Sequence, residues 1–281
     1  MSNQPTNQTL KEWRANAAYW VKYADILHSI LSPVTKALIA EAGIRTGDSV
    51  LDVAGGAGEP SMTIAETVGP SGRVVCTDAL EEMLDHAQVG AAKRGLTNFS
   101  VRQCFGDALP FDDGNFDAVV CRLGIMLFPD PSLALSEMLR VTNHGGTIAL
   151  VVWQKSELNP FCSLPPKVMS RHVETTPADP DAPGAFRFAE PGKLARLVLE
   201  AGAVDVRERL LEFHLEGPFS FSQFWEMRTH TSAALREQLS KVPSDEKLVI
   251  ENEVRDEVAN YFSEGKMNFP ASMIVVSGRK L

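Results

Sequence analysis

Cysteine is scarce, at four residues in 281, and Cys76, Cys104, Cys121 and Cys162 form no CxxC pair. That spacing excludes a thioredoxin-type redox motif or a zinc knuckle, and it predicts reduced core thiols and a cytoplasmic protein. Positive charge is also short. Lys and Arg total 27 against 36 Asp and Glu, a net charge of −9, and no basic block appears. A nucleic-acid partner is therefore not expected. Apolar runs are too short to cross a bilayer, and residues 1–13, MSNQPTNQTLKEW, lack the basic-then-apolar order of a leader. The six histidines (His28, His86, His144, His172, His214 and His230) are scattered without ligand spacing, so no metal is expected. No Ser-His-Asp or Cys-His arrangement is legible, and there is no internal repeat.

What is present is ordinary globular material, with 44% hydrophobic and 22% charged residues, long enough to bury a large core. Residues 8–42 carry Trp13, Ala17, Trp20, Ala24, Leu27 and Leu31 at helical steps, interrupted near Pro33. From residue 48 strands and helices alternate. Strands are expected at 48–53, 73–77, about 99–104, 116–121 and 147–153, with helices opening near Pro60 and at about 80–94 and 131–142. Alternation of this kind implies parallel βαβ units with right-handed crossovers. The stretch 174–184, ETTPADPDAPG, reads as an exposed loop. A helix at 190–201, a strand at about 204–214, a long helical insertion over 220–263 and a final strand at 271–278 complete the pattern. Ser220 with Gln223 resembles a capping box.

The chemistry concentrates in residues 50–61, VLDVAGGAGEPS. Glycines where a strand turns into a helix let a ligand approach the backbone, and the helix N-terminus can hold an anionic group. Ser61 stands where the dinucleotide fingerprint has its third glycine, and no Gly-Lys-Ser/Thr of a P-loop exists. Asp52, ahead of the glycines, would repel a diphosphate but favour an ammonium or sulfonium group.

VLDVAGGAGEPS resembles motif I of the class I S-adenosylmethionine-dependent methyltransferases, and is most similar to the ubiquinone/menaquinone C-methyltransferase branch and its small-molecule relatives. The resemblance continues through Asp78 in VVCTDAL, through CFGDALPF, through FDAVVCRLGIMLFPDP and through GGTIALVVW, covering about residues 46–153 in order. It implies a doubly wound α/β fold: a seven-stranded, mostly parallel sheet with the last strand antiparallel, N-terminal helices and a helical lid insertion. On that reading residues 1–45 form a helical cap and 46–155 the cofactor-binding core. Residues 156–189 form a loop and lid segment, 190–217 a core helix and strand, 218–266 the lid insertion and 267–281 the last strand.

The resemblance also implies S-adenosylmethionine as cofactor and assigns its contacts. Gly55, Gly56 and Gly58 would lie against the methionine part and ribose, with Asp52 orienting the loop or meeting the ammonium group. Asp78 would accept from the ribose hydroxyls, and Ala79 and Leu80 would flank adenine. In the Gly106-Asp107-Ala108 stretch, Asp107 would accept from the adenine amino group and Ala108 would pack on the ring. Arg122 and Leu123 would sit near the methionine half. Each polar residue has a structural alternative: Asp52 capping the turn, Asp78 capping a helix, Asp107 in an Asx-turn, Arg122 in a salt bridge.

Methyl transfer depends mainly on positioning and water exclusion, so its catalytic signature is faint. Tyr19, Tyr23, His28, His172, Arg187 and His230 are the polar candidates for acceptor handling, and Trp20, Trp153, Phe161 and Trp225 the aromatic ones. Each is equally at home in a core or a surface bond. The expected function is methyl transfer to a small, apolar or aromatic molecule, with a homodimer open as the assembly state. The alternatives are a non-methyl reaction such as cyclisation, a non-catalytic binding subunit and a dinucleotide oxidoreductase.

Overall fold

A computed structural model describes residues 7–174 and 179–281; part of the Pro/Asp-rich loop expected at 174–184 lies outside them. Three helices, α1 (Asn7–Lys22), α2 (Ala24–Ile30) and α3 (Ser32–Ala42), precede the sheet. Pro33 sits in the first turn of α3, where its missing N–H costs nothing, so it restarts the helix. Gly43, in the left-handed conformation, ends it.

The alternating region follows as β1 (Ser49–Val53), α4 (Ser61–Val68), β2 (Arg73–Asp78), α5 (Glu81–Lys93), β3 (Phe99–Gln103), β4 (Phe116–Arg122), α6 (Pro131–Val141) and β5 (Thr142–Trp153). Then come α7 (Pro160–Met169), α8 (Lys193–Glu200), β6 (Val204–Gly217), α9 (Phe221–Thr231), α10 (Ala233–Ser240), α11 (Ser244–Val258), β7 (Phe262–Ser263) and β8 (Lys266–Arg279).

The sheet order is β3-β2-β1-β4-β5-β8-β6. Pairing is parallel from β3 to β5, and β8 runs antiparallel between β5 and β6. This is the expected seven-stranded sheet with one reversed strand. An eighth strand, the two-residue β7, is added and pairs with the start of β8. Val50, Leu51, Val74, Val119, Val120, Ile148 and Leu150 are fully buried, as strands covered on both faces require.

The structure corrects several expectations of extent: β5 runs Thr142–Trp153 rather than 147–153, because Thr142 already pairs with Phe116 ahead of a register shift. β6 and β8 are 14 residues each, longer than their apolar patches, because they pair with each other from Val204↔Arg279 to Gly217↔Met267. Their exposed ends carry polar residues that hide the strand from an apolar pattern. The insertion over 220–263 is helical as expected and consists of three helices, parted by Ser232 and Pro243. Segment 156–189, read as loop and lid, contains the ten-residue helix α7 in spite of Pro165 and Pro166 in its interior.

Asn159, fully buried, anchors that helix. Its amide donates to the carbonyls of Gln154, Lys155 and Ser272, and its carbonyl accepts from Ser272 N–H. The end of β5 and the start of α7 are thereby tied to β8.

The capping box at α9 is present in both directions: Ser220 Oγ accepts from Gln223 N–H at 3.3 Å, and Gln223 Oε1 accepts from Ser220 N–H at 2.9 Å. Ser220→Ala is expected to lower stability by about 1 kcal/mol, read as a shifted midpoint in urea unfolding. An unchanged midpoint would show that packing alone holds α9.

Candidate active site

The carboxyl ends of β1, β2 and β4 open into a cavity of about 920 Å3, roofed by α1, α2, α7 and α9. Its volume is at the upper end of ligand sites, enough for a cofactor and an acceptor together. The glycine loop forms one wall. Gly55 and Gly56 line it, whereas Gly58 does not. A Cβ on Gly58 would lie 3.0 Å from the Ala87 backbone, so this glycine, at φ +107°, lets α5 pack against the loop. A Cβ on Gly55 would meet Asp52 Oδ2 and Cys76 Sγ, both at 2.7 Å. A second apolar cluster, Ala17, Leu80 and Met83 with Trp13, Val21 and Ala57, lays α1 over the loop.

Asp52 is fully buried beneath the loop and does not line the cavity. Its Oδ2 accepts from Ser61 Oγ at 2.5 Å, and its Oδ1 has no partner among the described residues. Burial pushes this carboxyl up to about 7, against the opposing effects of the Ser61 hydroxyl and the Arg122 charge. Asp78 lines the cavity at the end of β2. Its two oxygens accept from Leu80 N–H at 3.0 Å and Gly56 N–H at 3.1 Å, and burial raises its pKa against those bonds. Ala79, Leu80, Gly106 and Asp107 line the same end, while Ala108 does not. Both carboxyl oxygens of Asp107 are buried without a partner among the described residues. A carboxylate left this way is costly unless a ligand completes it.

Arg122 and Leu123 line the middle of the cavity. The Arg122 guanidinium donates to Thr35 Oγ1 and to the Glu59 carbonyl, both at 2.8 Å, joining α3 to the glycine loop. Burial lowers its pKa, opposed by Asp52 and Glu59. Ala54 and Leu123 both adopt positive φ on the cavity wall, a strained backbone that clusters at functional sites.

Of the six polar candidates for acceptor handling, His28 alone lines the cavity. Its Nδ1 lies 3.0 Å from Glu59 Oε1, which also pairs with Arg94 at 2.7 Å. Tyr19 stacks on His230, and the Tyr23 hydroxyl lies 3.2 Å from His230 Nδ1, joining α1 and the start of α2 to α9. His172 sits between Glu246 and Glu253 on α11, and those carboxylates raise its pKa. Arg187 donates to the Phe128 carbonyl. Trp20, Trp153 and Phe161 line the cavity; Trp225 does not.

Several wall residues carried no signal in the sequence. Glu59, Asn16, Phe186, Met227 and Arg228 come from four separate segments. On α9, Met227 and Arg228 fall three and four residues after Phe224 and ahead of Thr231, the helical spacing of the face that is buried. Among the described residues no group of three or more His, Cys, Asp or Glu could hold a metal, and no helix is long and apolar enough to cross a membrane.

Comparison with known proteins agrees with this geometry. An uncharacterized protein of Mycobacterium tuberculosis is 39% identical over 131 residues, 47% of this chain and 46% of that protein. The ubiquinone/menaquinone biosynthesis C-methyltransferase UbiE of Cellvibrio japonicus is 37% identical over 118 residues, 42% of this chain and 47% of that protein. The chain thus spans about half the length of the curated relatives it matches. The crystal structure of a putative methyltransferase from Bacillus halodurans shares the fold, with a TM-score of 0.57 at 23% identity over 88% of this chain and 98% of that one. The model of the ubiE/COQ5 methyltransferase family matches residues 25–171, more than half of the chain and the whole region that builds the glycine loop, Asp78, Asp107 and Arg122. The chain belongs to the ubiE/COQ5 methyltransferase family.

Proposed function

We propose that this protein is an S-adenosylmethionine-dependent methyltransferase acting on a small molecule with an apolar or aromatic body. The observation that carries the reading is the buried, unpartnered carboxylate of Asp107 on the same cavity wall as Asp78. Two acceptors at the ends of neighbouring strands suit a nucleoside: Asp78 for the ribose hydroxyls and Asp107 for the adenine amino group. Ala79 and Leu80 would flank the ring, Gly55 and Gly56 would face the methionine part, and Asp52 would hold the loop from below through Ser61.

When bound, the cofactor would supply an electrophilic methyl group on a sulfonium, with a neutral thioether as its leaving group. The chain's own contribution is position and dryness. Trp153, Phe161, Phe186, Leu215 and Met227 provide an apolar wall for the acceptor. Trp13 and Trp20 cover the opening from α1. His28 is the candidate within reach of the cavity for taking a proton from an acceptor that must lose one, and Glu59 at 3.0 Å would stabilise the imidazolium. We read the setting as cytoplasmic, in keeping with four free thiols, and the substrate as a small molecule rather than nucleic acid, in keeping with the acidic chain.

Calorimetric titration with S-adenosylmethionine and S-adenosylhomocysteine tests the reading. One site per chain for both ligands is the expected result. No heat of binding from folded protein would overturn it.

A further inference from the structure

Among the cations that line the cavity, Arg228 on α9 stands apart. Arg94 and His28 are committed to Glu59, and Arg122 to Thr35 and the Glu59 carbonyl. Lys93 is exposed. Arg228 has no carboxylate within ion-pair distance among the described residues, and its Nε is buried without a hydrogen-bond partner. Glu226, two residues away on α9, is taken by Lys22.

Its two contacts hold the guanidinium in place without neutralising it. Nη2 reaches the Cys162 carbonyl at 3.5 Å, the limit of a hydrogen bond. That carbonyl is free because Pro166, four residues on, has no N–H to return to it within α7. The guanidinium also lies 5.3 Å from the Phe161 ring centroid, a cation–π contact. A cation with a buried, unpaired N–H in an apolar wall is costly unless something anionic completes it.

Arg228 also lies away from the nucleoside end. Asp78 ends β2, whereas α7, against which Arg228 rests, follows β5 and packs on β8. In the order β2-β1-β4-β5 that is three strand spacings, about 14 Å. Phe161, which Arg228 touches, and Met227, its neighbour on α9, line the cavity, as do Trp153 and Leu215.

We propose that Arg228 is a specificity-determining residue that binds an anionic oxygen group of the methyl acceptor, so that the acceptor is an organic anion with an aromatic or apolar body. This rests on the reading of the cavity as a methyltransferase site. The planar fork of arginine presents two parallel donors, which suits a carboxylate or another charged oxygen pair better than a point charge would.

Two fluorescent probes with one aromatic frame test this. 8-Anilinonaphthalene-1-sulfonate carries an anion, and N-phenyl-1-naphthylamine does not. Each is titrated into wild type, Arg228→Met and Arg228→Lys, with and without saturating S-adenosylhomocysteine. The wild type is expected to hold the sulfonate more tightly than the neutral probe. Arg228→Met should weaken the sulfonate about tenfold or more and leave the neutral probe unchanged, and Arg228→Lys should recover part of the loss. Equal loss of both probes would show a packing role and overturn the proposal. So would a wild type with no preference for the anion, or an Arg228→Met that keeps it. Thermal melting and S-adenosylhomocysteine affinity of the variants establish that the fold and the nucleoside end are intact. Failure of the homologue to bind the wild type would count against the methyltransferase reading; the probe comparison without it reads Arg228 independently.

Discussion

Asp52→Asn is expected to remove a pH dependence of stability on the order of 4 kcal/mol, measured as the difference in urea-unfolding free energy between variant and wild type from about pH 4 to about pH 8. The carboxyl stands at 3.8 in an ordinary setting and at about 7 in the fold, with burial as the largest cause. The folded state therefore holds a proton that the unfolded chain has released across that interval. Stability falls as pH rises wherever the folded state binds more protons, so the wild type loses stability from about pH 4 up to about pH 7 and then levels off. Asn cannot ionise, and its carbonyl can still accept from Ser61 Oγ, so the variant lacks this loss. The surroundings explain why the penalty is not relieved. Arg122 favours the charged form, but Glu59 opposes it, and Oδ1 has no donor among the described residues. Parallel pH profiles for the two proteins would show that a donor reaches Oδ1 in solution and that the carboxylate is tolerated.

Asp78→Ala should weaken S-adenosylhomocysteine binding by about 1.5–3 kcal/mol, roughly ten- to a hundred-and-fifty-fold, by calorimetry. The reason is double. The carboxylate is the acceptor proposed for two ribose hydroxyls, and it also positions the loop by accepting from Gly56 N–H and Leu80 N–H. Alanine leaves those two N–H groups without that partner, so a modest loss of stability should accompany the loss of affinity. Asp78→Asn separates the effects. Its amide oxygen can keep one of the backbone bonds, while the charge available to the hydroxyls is gone. Affinity lost in both variants with stability lost chiefly in alanine supports direct contact. Full affinity in Asp78→Asn would reduce Asp78 to a loop-holding role.

The region from β1 to β5 was legible because its signals are local. Apolar runs of five to seven residues end at Gly, Asp or Pro, and each helix between them shows its own period. The glycine loop was legible for the same reason: a positive φ at Gly56 and Gly58 is a property of single residues. The α7 helix was not, because Pro165 and Pro166 read as loop chemistry. Pro160 starts the helix, and the packing of Phe161, Val168 and Met169 into the core keeps it formed past the later prolines. The length of β6 was hidden because a strand whose side chains are half exposed needs no continuous apolar run, and the start of β8 was hidden because Lys266, Asn268 and Pro270 alternate there with buried residues.

By itself the sequence determined the parallel α/β units and the turn that a ligand can approach closely, whereas the reversed strand was expected from the family resemblance alone. The units and the turn follow from backbone preferences and periodicities that act within a few residues. Only the tertiary structure decided which charges have partners. Asp52 and Asp78, 26 positions apart, look alike as acids beside a strand end, yet one lies under the loop and the other on the cavity wall. His28 found Glu59, Tyr23 found His230, and Arg228 found, among the described residues, a freed carbonyl and a ring. The cost of a buried charge depends on the groups that long-range packing brings within a few ångströms of it, and that environment is not written in any short stretch of chain.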